Sequence, residues 1–234
     1  AFNNLDKYLL EFESKFIRNG GTVYWADSVD DVARIIAEIL PENSGIIVKS
    51  QSMTGEETGF NNVARERGDE VVETNLGGFI VQQMSQKPSH MTAPAVHLSK
   101  TQIAEFFNTR FGSDKNAGAE EITEFTRKLL RSKFTEDSVG VTGANFIIAD
   151  TGSVAITENE GNISLATAWP RKHIVIAGIE KIIPSIKDLY LFWPMLASNA
   201  TGQKLSVYNH IISGPARSAE LDGPNEMAIM LVNK

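Results

Sequence analysis

Two stretches of this chain carry residue types that bind or transform small polar molecules. Lys49-Ser50-Gln51-Ser52-Met53-Thr54, with Glu57 close behind, gathers a lysine and three hydroxyls at the point where an apolar run gives way to a helix start. Backbone N–H groups and the helix dipole at such a junction attract phosphates and carboxylates. The second stretch, Thr142 to Asn162, reads as a hairpin of two apolar runs, Phe146 to Ala149 and Val154 to Thr157, around the turn Asp150-Thr151-Gly152-Ser153. Folding it back sets Asn145 near Glu158 and brings Thr142, Gly143, Asn145, Glu158, Asn159, Glu160 and Asn162 to one polar end. In a shared crevice Lys49, Ser50 and Ser52 would hold negative charge, Asn145 and Asn162 would orient the ligand, and Glu158 or Glu160 would act as nucleophile or proton acceptor. Glu73, Thr201 and Gln203 join this ligand-binding set if the topology brings their loops to the same place.

Each motif also has a plainer reading. The lysine loop lacks the Gly-x-x-x-x-Gly-Lys pattern of a phosphate loop, and its hydroxyls serve equally as helix caps. Asp150-Thr151-Gly152 matches the local pattern of aspartic proteases, but one copy among βαβ units is better read as a turn. Glu158-Asn159-Glu160-Gly161 resembles the glutamate-bearing segment of coenzyme A transferases, whose glutamate forms an acyl intermediate. The four histidines show no metal-ligand spacing, so no metal site is expected. His90, in a Gly/Pro-bounded loop with His97, stands as a candidate proton carrier.

The elements that must position these residues follow from periodicity. Leu5, Leu9, Phe12 and Phe16 mark an amphipathic helix stopped by Gly20-Gly21, and Thr22 to Ala26 reads as a strand. Ser28-x-x-Asp31 caps a helix closed by Pro41, and a strand at Gly45 to Val48 completes a βαβ unit. Thr54-x-x-Glu57 predicts a cap for a helix to about Arg67, before a strand at Glu70 to Thr74. From Asn75 to Pro94 the pattern weakens to loop with one helical piece. Helices follow at Ser99 to Phe111 and Ala119 to Phe134, split by a polar segment, Gly112 to Gly118, that serves as a mobile lid or a turn. After the hairpin come a strand at Ile174 to Ile179, a helix from Ser185 to Leu196, and strands at Lys204 to Ile212 and Met227 to Val232.

Composition narrows the function classes. The 234 residues fit one domain, and a net charge of −7 with no Lys/Arg run argues against a nucleic-acid partner. With no cysteine the chain offers no thiolate for a disulfide, an iron-sulfur cluster or a Cys-ligated zinc. No apolar run has the length of a membrane span and the start shows no secretory pattern, so the cytoplasm is the default. The chain begins at Ala1, as a processed protein or a piece of a longer one would.

Several segments together resemble one family. Lys49-Ser50-x-Ser52-Met53-x-x-Glu56-Glu57, Glu73-Thr74-x-Leu76-Gly77, Pro88-Ser89-His90, Thr142-Gly143-Ala144-Asn145-Phe146, Thr151-Gly152-Ser153, Glu158-Asn159-Glu160-Gly161-Asn162, Gly178-Ile179-Glu180-Lys181, Ala200-Thr201-Gly202-Gln203 and Asp222-Gly223-Pro224 are similar to the LUD domain of lactate-utilisation protein B, in order and across nearly the whole chain. The resemblance implies a single LUD domain over residues 1–234. Its fold would be α/β, a Rossmann-like sheet similar to the sugar-phosphate isomerase and coenzyme A transferase group, with a partly antiparallel C-terminal part. It further implies a component of a multi-subunit system oxidising L-lactate to pyruvate, with other lactate-utilisation subunits as partners and a small anionic ligand. The iron-sulfur clusters of that system are expected in a C-terminal, ferredoxin-like segment outside this chain. No dinucleotide-binding Gly-x-Gly-x-x-Gly turn is visible, so the chain is expected to hold no redox cofactor of its own. A scaffold that docks partner subunits, and acyl transfer through a glutamate, are the alternatives.

Overall fold

The computed structural model describes residues 2–42, 44–90, 93–136, 138–217 and 223–233. Its centre is a six-stranded, wholly parallel sheet built from β1 (Thr22–Ala26), β2 (Ile46–Lys49), β3 (Glu70–Glu73), β4 (Ser138–Thr142), β7 (Lys172–Gly178) and β10 (Glu226–Val232), in the order β1-β10-β7-β4-β2-β3. The middle strands are covered on both faces, which is why β7 and β10 read as continuous apolar runs rather than alternating ones. Helices α2 (Val29–Ile39), α3 (Met53–Glu57) and α4 (Phe60–Glu66) lie over one face. There Ile35, Ile36, Ile39 and Phe60 pack on Ile47, Val141, Ile174 and Met230. The Ser28 hydroxyl caps α2 by accepting from the Asp31 N–H at 3.1 Å, and Leu40 turns extended ahead of Pro41.

The opposite face is shared. Over β2 and β3 sit α5 (Leu76–Gln83), α6 (Lys100–Phe111) and α7 (Ala119–Thr135), with Phe79, Phe107, Phe111 and Phe125 in mutual ring contact. Over β7 and β10 sits α1 (Leu5–Arg18) with a second, four-stranded sheet, β8-β5-β6-β9. In it β5 (Phe146–Ile148) pairs antiparallel with β6 (Ser153–Glu158), which pairs antiparallel with β9 (Tyr208–Ile212), while β8 (Ile182–Ile183) runs parallel to β5. Ile147 faces α1 and the large sheet, and Ile148 faces α9 (Leu189–Thr201). The expected hairpin is therefore covered on both sides, and the expected antiparallel part is this small sheet. The β5-β6 turn needs its glycine twice over, because Gly152 has φ +61° and an added Cβ would stand 2.5 Å from the backbone nitrogen of Phe16.

Local details depart from the expectations. Ser52, not Thr54, caps the helix after β2, accepting from the Gly55 N–H at 3.0 Å. That helix breaks at Gly59, which has φ +66°, and restarts as α4. The segment Gly112 to Gly118 is a turn, opened by Gly112 in the left-handed region and closed by an Asn116 N–H donated to Asp114 Oδ1 at 2.8 Å. Strand β4, helix α8 (Asn162–Ala168) and the two-residue β8 are additions to the elements expected from periodicity. Asp222 of the Asp-Gly-Pro segment lies outside the described residues.

Candidate functional site

Strands β2, β3 and β4 run parallel, so their C-terminal ends, at Lys49, Glu73 and Thr142, emerge at one edge of the sheet. That edge is where open α/β sheets form crevices. The Lys49 ammonium is 1% exposed and donates to Glu56 Oε1 and Glu73 Oε1, both at 2.8 Å. Burial alone would lower its pKa, but the two carboxylates outweigh burial and hold it above the ordinary lysine value. Lys49 is thus a charged, buried lysine paired with the buried Glu73 and the more exposed Glu56, and does not present free charge to a ligand.

The loops after β2 and β3 are then stitched to the hairpin. Thr74 Oγ1 donates to the Lys49 carbonyl at 3.1 Å and accepts from Asn162 Nδ2 at 3.0 Å. Asn145 Oδ1 accepts from the Thr157 N–H at 2.8 Å, joining the two strands of the hairpin at its polar end as its sequence implied. Glu158 is buried and heavily hydrogen-bonded. Its carboxylate accepts from the Ile163 and Ser164 N–H groups at 2.7 and 2.8 Å, from Ser164 Oγ at 2.6 Å, and lies 2.9 Å from His210 Nε2. It therefore anchors the first turn of α8, with three partners on Oε1 and one on Oε2. Glu160 is different. One oxygen accepts from the Leu76 N–H at 3.2 Å, at the start of α5. Desolvation by its neighbours raises its pKa, the Leu76 bond opposes this and the nearby Glu158 charge adds to it, although part of the residue remains open to solvent.

These residues border a crevice of about 270 Å³. Ser50 and Gln51 line it from the loop after β2, Asn75 from the loop after β3, and Asn145, Thr157 to Glu160, Asn162 and Ile163 from the hairpin end. Leu196, Ala197, Ala200 and Ser206 close it from α9 and the segment beyond. Of the expected set, Ser50, Asn145, Asn162, Glu158 and Glu160 converge here, and Glu73 turns away with Lys49. Ser52 is taken up as the α3 cap and packs against Gly143, where an added Cβ would meet the Ser52 Cβ at 2.6 Å. Thr142 is buried and shares a hydrogen bond of 2.8 Å with His173 Nε2. Glu57 is exposed on α3 and His90 is exposed in its loop, both off the crevice lining. Gln203 follows α9 and is likewise off the lining, and the side chain of Thr201 lies outside the described residues. Gln51 and Asn75, joined by an Asn75 Nδ2 to Gln51 Oε1 bond of 3.2 Å, are lining residues in the two expected loops that were not singled out from sequence, and neither were Thr157, Ile163, Ser206 and the α9 residues Leu196, Ala197 and Ala200. For Gln51 and Asn75 the signal was position alone, each sitting two residues past the end of a parallel strand.

His173 is fully buried, and burial pushes its pKa down to about 4, so it is neutral at physiological pH. No cysteine is present to supply a cluster ligand, and no group of three or more His, Asp or Glu among the described residues has the arrangement of a metal site. The residues of this chain therefore do not fit an iron-sulfur cluster. Among the described residues no helix is long and apolar enough to cross a membrane.

Comparison with known proteins agrees with the fold. A chain described as a DUF162 family protein from Deinococcus radiodurans superposes with a TM-score of 0.51 at 10% identity, over 97% of this chain and 98% of that one. Among curated sequences, lactate utilization protein B of Bacillus cytotoxicus is 38% identical and that of Shouchella clausii 39% identical, each over the whole of this chain. An uncharacterized electron transport protein, YkgF, of Escherichia coli K12 is also 38% identical over the whole chain. The chain spans about half the length of these relatives, 49 to 50%. The family model for the LUD domain matches residues 9 to 232, and the chain accordingly belongs to the LUD domain family.

Proposed function

We propose that this chain is the LUD half of a lactate-utilisation protein, acting in the cytoplasm within a multi-subunit system that oxidises L-lactate to pyruvate, and that its crevice receives the small 2-hydroxy acid or its keto product. The reading is supported by the names of the relatives at 38 to 39% identity and, above all, by one geometric observation. The loops after β2 and β3 and the polar end of the hairpin open onto a single crevice of about 270 Å³. No lysine or arginine lines it among the described residues, so a ligand carboxylate is held by neutral donors such as the Ser50 hydroxyl and the Asn145 amide N–H groups. Glu160, with its raised pKa, is suited to take the hydroxyl proton, and Asn145 and Asn162 to fix the orientation. The electrons leave to an acceptor carried by partner subunits or by the part of the protein outside this chain, where iron-sulfur clusters would lie.

Thermal-shift measurements on the 234-residue chain with L-lactate, pyruvate, inorganic phosphate and coenzyme A test this reading. Stabilisation by lactate or pyruvate that disappears in Asn162→Leu and Glu160→Gln is the expected result. The second reading, a docking module without chemistry, is favoured by one feature. Tyr190, Leu191 and Met195 on α9 and Leu205, Val207 and Ile211 on and before the edge strand β9 expose large apolar side chains. No shift with any of the four compounds, with assembly onto partner subunits lost in Tyr190→Ser/Met195→Ser, would support it instead.

A further inference from the structure

A second cavity, of about 850 Å³, lies on the other side of Gln51 from the crevice, between α3, α4 and α5. Its wall contains hydrogen-bonding atoms that the fold leaves unmatched. Glu73 is only 6% exposed; its Oε1 accepts from Lys49 and, at 3.1 Å, from Asn61 Nδ2, while its Oε2 is buried without a partner. Because Asn61 must turn its amide nitrogen to that carboxylate, its Oδ1 is left over as a second buried acceptor beside the first. Gln51, which also lines this cavity, adds one unmatched donor, its Nε2, and flipping its amide together with that of Asn75 leaves a Gln51 oxygen unmatched instead. Such atoms cost free energy unless something in the cavity pairs with them. At the mouth stand Arg65 and Lys87, exposed and in no ion pair among the described residues.

We infer that this cavity is a binding site for a vicinal diol carrying an anionic group, of the kind presented by a ribonucleoside phosphate. Two adjacent hydroxyls donate to Glu73 Oε2 and Asn61 Oδ1, the unmatched amide atom of Gln51 meets a ring or base polar atom, and Arg65 and Lys87 neutralise the phosphate. An amine would satisfy the same acceptors but gains nothing from two cations at the mouth. The volume suits a mononucleotide, since ligand pockets commonly run from about 300 to 1,000 Å³. Occupation of this site is separate from the crevice reading and does not depend on it.

Isothermal titration of the 234-residue chain with AMP, GMP, CMP and UMP, with 2′,3′-dideoxy-AMP and with inorganic phosphate, tests the assignment. At least one ribonucleotide is expected to bind, with removal of both hydroxyls weakening AMP by about tenfold, in line with two bonds to a carboxylate and an amide. Arg65→Ala, a change on the exposed surface, is expected to weaken it about fivefold, as is Asn61→Ala, which leaves the Lys49-Glu73 pair intact. No binding by any nucleotide at about 5 mM overturns the site. Equal affinity for AMP and its dideoxy form overturns the diol, and equal affinity for phosphate alone reduces the cavity mouth to an anion site without a sugar.

Discussion

Replacing Lys49 by Met would strand Glu73 in a buried position next to Glu56 with no cation between them. Removing one member of a buried ion group costs about 3 to 5 kcal/mol, so Lys49→Met should lower the urea midpoint strongly, and Lys49→Met/Glu73→Gln should recover most of the loss. A Lys49 that served only a ligand would show neither effect. His173 gives the residue-scale pH dependence. Its pKa is about 4 when folded against an ordinary value of 6.5, so below neutrality the unfolded chain binds a proton that the native one refuses. Stability from this group is full above about pH 6.5 and is lost as pH falls toward 4, by roughly 3 kcal/mol. Denaturation curves from pH 7.5 to 4 should show that fall in the native chain and a flatter profile in His173→Gln, which keeps an acceptor for Thr142. Neither burial was visible in the sequence. A lysine after a strand reads as an exposed ligand contact, and only the positions of Glu56 and Glu73 in space convert it into a structural charge.

At the scale of elements, the hairpin was legible because its two apolar runs and Gly152 turn are local signals, and the covered faces of β5 followed from Ile147 and Ile148 being adjacent. The strand β4 and helix α8 were not. Ser138-Val-Gly-Val-Thr142 is short and interrupted by glycine, and α8 has seven residues, starts after Gly161 in the left-handed region and has its first N–H groups held by Glu158 from outside the helix rather than by a side chain at its N-cap. The two are one structural unit, which explains the glycine: a Cβ on Gly140 would stand 1.9 Å from the Ala166 carbonyl oxygen in α8. Gly140→Ala should therefore push α8 away and cost about 1 to 3 kcal/mol in denaturation. It should also loosen the Ile163 and Ser164 bonds to Glu158 and so slacken the crevice wall. Unchanged stability in Gly140→Ala would mean that the β4-α8 packing is softer than described.

The whole molecule is a parallel sheet whose two chain halves deliver loops to one edge, with a small sheet packed against it to supply the third wall. That a βαβ order would gather the loops after β2 and β3 was readable from periodicity and caps alone. That the hairpin would lie beside them was not, since it depends on Asn162 reaching Thr74 and on α9 closing the far side, contacts between residues far apart in the chain. The same long-range geometry turned Lys49 and Glu73 out of the crevice and brought Gln51 and Asn75 in. Side-chain amides on the wall make the proposed ligand site directly observable. Nitrogen-15 NMR of the 234-residue chain, titrated with L-lactate and with pyruvate, should move the side-chain amide signals of Gln51, Asn75, Asn145 and Asn162 together and saturably, with Gln82 unmoved. Shifts confined to residues away from those four amides, or none at concentrations far above those that stabilise the chain, would contradict a 2-hydroxy or 2-keto acid site at the hairpin end.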